Sequence, residues 1–306
     1  WFRNDLRITD NTAVYNACQS KKNVIATYII NPKAWKRHKK SPNQVSFILR
    51  RLQHLKEELL THGIPLVIQE SHTANPEETI TKILHKHNIS QLFFNKLYEH
   101  DELSHDNSIT QYCTENNIHV HSFHDRLLAQ PDNIHTQAGT PYTVFTPFKR
   151  TLYKYLLENE IPKPLPELQH RQNITIKSDK VPTSIPDFTP TIDESLWPAH
   201  NQEADNRLKQ FCKSKILSYD TDRDLPSIKV TSTLSPYLAI GAISVRQCLD
   251  FALSINKGHL TDNNPNVECW ISELVWREFY AHILIHFPHV CRGHAFKKKT
   301  DTLPWS

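Results

Sequence analysis

The chain has 306 residues, 38% of them apolar and 22% charged, with a formal net charge of +4. That length exceeds one ordinary core and predicts two domains, while the lack of an apolar run long enough to span a bilayer sets membrane insertion aside. Six cysteines scattered without a CxxC pair disfavour a disulfide framework and a zinc ribbon and suit a reducing, cytoplasmic setting, and five isolated glycines exclude the GxGxxG and Walker A loops.

In chain order, the sequence opens at Trp1, carries no Met and shows no signal segment, so it reads as a fragment whose Trp1 and Phe2 are the end of a first strand. Four β-rich runs follow, Asn23 to Ile30, Pro65 to Gln69, Gln91 to Lys96 and His119 to His124, alternating with helical patterns. That alternation predicts an α/β doubly wound parallel sheet over residues 1–130. Between the runs, Val45, Ile48, Leu49, Leu52, Leu55 and Leu59 recur at three- and four-residue steps, an apolar helix face that Gly63 terminates. Asn75-Pro76 starts the next helix.

Residues 131–200 are proline-rich, with only short helical material near Phe148 to Leu157, and predict an interdomain connector, because fixed φ angles and missing donors defeat regular structure. Residues 201–306 are helical in period, with a capping-box spacing at Ser244 and Gln247, and predict the first part of an all-α domain.

Three constellations could carry chemistry. Thr231, Ser232, Thr233, Leu234 and Ser235 precede Pro236, so a helix entered with Ser235 as N-cap could hold an anion on its free N–H groups. A polar turn before a capped helix accounts for the same residues, and caps are far commoner than phosphate sites. On the segment Glu268 to Tyr280, Trp270, Glu273, Trp276, Arg277 and Tyr280 share one helix face, which could sandwich flat heterocycles. The alternative is a core helix in which Glu273 and Arg277 form an ordinary i,i+4 pair. His282 and His286 lie one turn apart with His289 beyond, but no HExxH glutamate accompanies them, so no metal is expected. Lys297 to Lys299 read as a solvated surface.

Taken in order and spacing, WFRNDLRITDN, YTVFTPFKR at Tyr142 to Arg150, RDLP, TSTLSPYLAIGAIS and ELVWREFY resemble the photolyase/cryptochrome family over the whole chain, and most closely its bacterial folate-containing branch acting on cyclobutane pyrimidine dimers. The resemblance implies an antenna-binding α/β domain followed by part of a helical FAD-binding domain. It implies blue-light repair of UV-damaged DNA by electron transfer from excited reduced FAD to a dimer flipped out of the duplex, in a monomer.

Residue by residue, the resemblance puts Tyr219 and Thr231 to Ser235 in the flavin-phosphate loop. Trp270, Glu273 and Arg277 fall in the flavin pocket, Glu273 and Trp276 against the dimer, and Arg223 on DNA. His38, Asp101, Glu102, Cys291 and Arg292 match a methenyltetrahydrofolate antenna site, with arginine standing at 292 where lysine is expected. Trp305 matches the outermost member of the family's tryptophan electron-transfer chain. The resemblance also implies that the part completing the FAD site lies beyond Ser306, so this chain should hold FAD weakly or not at all. A light-sensing cryptochrome, a (6-4) photolyase and a nucleotide-binding α/β module without photochemistry are the rival readings.

Overall fold

The computed structural model describes residues 1–200 and 202–303. Its first half alternates strands and helices: α1 Thr12–Gln19, β1 Ala26–Ile30, α2 Pro32–Arg37, α3 Pro42–Thr61, β2 Leu66–Glu70, α4 Glu77–Lys86, β3 Gln91–Asn95, α5 His100–Glu115 and β4 His119–Phe123. β1 pairs in parallel with β2, starting at Ala26 opposite Leu66, and β3 pairs in parallel with β4, starting at Gln91 opposite His119. Trp1 and Phe2 join the two ladders: the Phe2 N–H donates to the Thr27 carbonyl at 2.9 Å, and the Trp1 ammonium donates to the Phe93 carbonyl at 3.0 Å. The spatial order is therefore β2, β1, Trp1–Phe2, β3, β4. Strand order reverses at that first segment, which is where open α/β sheets place ligand crevices.

Local chemistry explains the elements. α3 begins with a capping box between Ser41 and Gln44 and has Pro42 at its first position. Its six predicted apolar positions are all buried. It ends with Gly63 at φ +72°, while Ile64 N–H reaches the Leu59 carbonyl and Gly63 N–H reaches that of Leu60, the pattern that satisfies a helix's last carbonyls.

Residues 131–200 contain one α-helix, α6 Phe145–Glu158, and then run as a strap that is irregular apart from a short 3-10 turn at Glu194–Leu196. The strap covers the free edge of β2. Leu66 N–H donates to Ser178 Oγ at 2.9 Å, Ile68 N–H to Asp179 Oδ2 at 2.8 Å, and Asp179 N–H to the Leu66 carbonyl at 2.8 Å. Backbone groups that would otherwise invite a foreign strand are thereby occupied.

The helical part comprises α7 Glu203–Lys213, α8 Tyr219–Asp222, α9 Ser235–Ala239, α10 Val245–Ile255 and α11 Pro265–His286. Its core is continuous with that of the sheet: Phe2, Leu52, Leu66, Phe148, Phe211, Leu249 and Trp270 belong to one buried cluster.

A buried polar knot crosses the same boundary. Arg246 on α10 bonds Asp10 at 3.0 Å and Asp125 at 2.7 Å, and Arg7 bonds Asp125 at 2.5 Å. Ser244 Oγ also donates to Asp10. The strap joins in through the Leu165 N–H, which donates to Asp10 Oδ1 at 2.8 Å.

Gly241 lies beside this knot with φ +67°, and a Cβ there would stand 2.2 Å from the Asn4 carbonyl oxygen and 2.5 Å from Asp5 Cα. Its own carbonyl accepts from Arg7 Nη1 at 3.1 Å. Gly241→Ala therefore combines a left-handed backbone with backbone overlap and is expected to lower stability by about 2–4 kcal/mol. A urea titration followed by circular dichroism measures this, and an unchanged midpoint would contradict the close approach.

Candidate functional site

The first site lies at the reversal of strand order. A cavity of about 400 Å³ opens beyond the carboxyl ends of the strands, walled by Arg3 and Asn4 after the first segment, Asn31 after β1, and Leu97 and Glu99 after β3. Four of the five residues predicted for an antenna, His38, Asp101, Glu102 and Cys291, line this cavity, together with Leu284 near the end of α11. Asp101 bonds Arg37 at 2.9 Å and His38 at 3.3 Å.

The two neighbouring carboxyls are driven apart. Burial pushes Glu102 up, with Arg3 and His105 only partly opposing it. At Asp101 burial also raises the pKa, but the His100 hydrogen bond and the Arg37 and His38 charges outweigh it and the net direction is down. One acid is thereby biased toward carrying a proton beside one biased toward charge, a pattern typical of ligand sites. Arg292 does not join them: it lines an adjoining open cleft with His100, His286, His289 and Lys298. The sequence missed Trp35, Lys40 and Glu99, which also wall the cavity; no local periodicity marks residues brought together by strand ends.

The second site is the predicted α11 face, and the structure divides it. Trp270 is only 3% exposed and packs on Phe211 with ring centroids 5.1 Å apart. Glu273 and Arg277 do not pair with each other as an i,i+4 reading expects. Glu273 instead accepts from Arg223 Nη1, and the Arg223 guanidinium lies 6.0 Å from the centre of the Tyr219 ring. Arg277 turns toward the sheet half, where its Nη1 donates to the Arg126 carbonyl at 2.8 Å. Burial lowers its pKa to about 10, with the Arg126 charge adding to the effect.

Trp276 is half-buried, and Tyr280, one turn on, is 60% exposed. The surface that remains outward is therefore Arg223, Glu273, Trp276 and Tyr280: a cation, a carboxylate and two aromatic planes. Such a surface suits a flat heteroaromatic ligand carrying phosphate.

Tyr219 is buried below this surface, and burial followed by the Glu273 charge raises its phenol. In the Thr231–Ser235 loop, Thr231, Thr233 and Ser235 are exposed, and Thr233 Oγ1 accepts from Arg207 Nη1 at 2.9 Å. The expectation that Ser235 caps the helix is corrected. Leu234 is the N-cap, already in helical backbone geometry and anchored in the core, so Ser235 is the first helical residue and makes no side-chain cap. His282 is committed elsewhere, with Nε2 accepting from the Tyr142 N–H at 3.1 Å. Trp305 lies outside the described residues.

These two sites sit in a chain whose residues 1–169 match the DNA photolyase family model. The whole chain is 34% identical to a deoxyribodipyrimidine photo-lyase of Salmonella typhimurium and 35% identical to one of Buchnera aphidicola, and it spans 64% and 63% of those proteins. It spans just under two thirds of their length in each case. Among solved structures, it superposes over its full length on a class III photolyase from Agrobacterium tumefaciens, with a TM-score of 0.84, 26% identity and 62% of that chain covered. A cryptochrome from Synechocystis shares the fold, with a TM-score of 0.85, 20% identity and 64% of that chain covered. With more than half of its residues matched by the family model and its full length superposing on a photolyase, the chain belongs to the DNA photolyase family.

Proposed function

We propose that this chain is part of a blue-light-driven photolyase that reverses cyclobutane pyrimidine dimers in DNA. In this reading FAD is the catalytic cofactor and residues 1–130 house a methenyltetrahydrofolate antenna in the cavity at the strand ends. The observation that carries it is the outward grouping of Arg223, Glu273 and Trp276, where a carboxylate able to bond a pyrimidine edge stands beside an aromatic plane able to stack on it.

The residues present fit FAD in part. The exposed hydroxyls of Thr231, Thr233 and Ser235, with Arg207 behind them, are the donor set a diphosphate requires. Trp270, by contrast, is covered by Phe211 and acts as support beneath the surface. When bound, FAD supplies the light-driven electron that opens the cyclobutane ring.

The chain's own residues position the lesion. Trp276 stacks on the extruded pair, and the Glu273 carboxyl meets a pyrimidine edge. Arg223 holds Glu273 in place and offers its remaining N–H groups to a DNA phosphate. Extrusion costs less at a damaged step, which contributes to selectivity.

Illumination with blue light of the full-length protein supplied with FAD, over an oligonucleotide containing one thymine dimer, is expected to remove the dimer. Bound flavin without dimer loss would instead favour the cryptochrome reading. Trp276→Ala is expected to weaken binding to the damaged oligonucleotide by about 1–3 kcal/mol more than binding to undamaged DNA. Competition binding at fixed salt measures the difference, and an equal loss on both DNAs contradicts a stacking role. Affinity for both DNAs is expected to fall as salt rises.

A further inference from the structure

We infer that Phe145 is a positioning residue that covers one face of Trp276 and thereby sets the plane that the indole presents to an incoming base. This inference rests on the reading of Trp276 as a stacking platform. The Phe145 and Trp276 rings lie 3.6 Å apart between centroids and 6° from parallel, a full-face overlap. Aromatic pairs left to themselves prefer offset or edge-on contact, so surrounding structure must enforce such an overlap.

That structure is visible on the core side. Phe145 meets Phe279 edge-on, with centroids 5.8 Å apart and planes at 71°. Phe279 in turn packs at 5.3 Å on Phe148, which is only 1% exposed. Phe145 and Phe148 both belong to α6, and Lys149 Nζ from the same helix donates to Ser272 Oγ on α11 at 3.2 Å. Contacts thus run from the core through Phe148 and Phe279 to Phe145 and then to Trp276. Tyr280, one turn along α11, also lies against Trp276, with centroids 5.6 Å apart and planes at 26°, and is 60% exposed.

An indole held this way loses the freedom to rock about its side-chain torsions. Orientation fixed before encounter does not have to be imposed by the ligand. Phe145 touches no ligand in this scheme and acts only through Trp276.

The test compares Phe145→Ala, Phe145→Leu and Phe145→Tyr with the parent protein. The Trp276 contribution is taken as the difference from Trp276→Phe in near-ultraviolet circular dichroism and in acrylamide quenching of fluorescence. Far-ultraviolet circular dichroism confirms folding, and Leu serves where Ala does not fold. Alanine or leucine is expected to abolish most of the Trp276 dichroism and raise its quenching about twofold, with tyrosine restoring both. Damaged-over-undamaged DNA preference is expected to fall about tenfold for alanine or leucine, with affinity for undamaged DNA unchanged.

Unchanged dichroism and quenching in both apolar variants overturn the inference. So does an unchanged DNA preference in those variants while Trp276→Ala loses it, a result that leaves the stacking reading intact. If the parent protein itself shows no preference for damaged DNA, the stacking reading fails and the inference built on it falls too, whatever the spectroscopic result.

Discussion

Arg246→Ala is expected to lower the unfolding free energy of the chain by about 3–5 kcal/mol, because it leaves Asp10 and Asp125 buried without their shared cation. The carboxylate of Asp10 is fully buried, and Asp125 is nearly so. Burial alone would raise the Asp125 pKa, but Arg7 and Arg246 together outweigh it and hold the carboxyl well below the usual range. Removing Arg246 leaves Arg7 as the remaining cation on Asp125, beside the Thr12 N–H and hydroxyl, while the Asp10 carboxylate keeps only the Ser244 Oγ and Leu165 N–H donors. Lysine at 246 retains the charge but cannot reach Asp10, Asp125 and two backbone carbonyls at once with one ammonium, so Arg246→Lys is expected to restore less than half of the loss. Chemical denaturation of the three proteins at pH 7 decides the matter. A destabilisation under 1 kcal/mol for alanine would show that the knot contributes little.

The second large effect concerns pH. Glu278 on α11 is buried, and its carboxyl accepts from the Leu128 and Ala129 N–H groups at 2.9 Å. Burial pushes its pKa up to about 7, against the opposing influence of those donors and of Arg277. A carboxyl raised from 4.5 to about 7 keeps its proton in the native state where the unfolded chain has lost it. Its stabilising contribution is complete below about pH 4.5 and is lost as pH rises through 7, a decline of about 3 kcal/mol.

Glu278→Gln carries no titrating proton and is expected to flatten the stability profile between pH 4.5 and 7. Asp125 acts in the other direction and at lower pH, since a depressed carboxylate loses its contribution only as acid is added. A slope retained in the glutamine variant would assign the pH dependence to another group.

How much of this was readable beforehand depended on the range of each interaction. The capping box at Ser244 and Gln247, the α3 apolar stripe and the stop at Gly63 are local signals, and each was found where spacing placed it. The strands began or ended within three residues of the β-rich runs, because period and turn residues lie in the segment itself. The strap was legible as irregular chain, but its covering of the β2 edge was not, since Ser178 and Asp179 carry no mark of a partner more than a hundred residues away.

The α11 surface shows the same boundary. Helical spacing put Trp270 through Tyr280 on one face, which the structure divides. Which of them look outward depended on Phe211, Arg126 and Arg223, none of which helical spacing reveals. Arg246, Asp10 and Glu278 escaped notice for a related reason: each charge looked like an ordinary surface residue until tertiary packing buried it.

α11 reaches both candidate sites as one unbroken rod, carrying Glu273 and Trp276 on its exposed surface and Leu284 in the wall of the cavity at the strand ends. At 1.5 Å per residue, Glu273 and Leu284 are separated along the axis by about 16 Å. Transfer of excitation between two dyes falls steeply with separation and depends on the angle between their transition moments. Chromophores seated at these two places would have both quantities dictated by a helical ruler, and inserting a single residue between them would swing one site around the axis by about 100°.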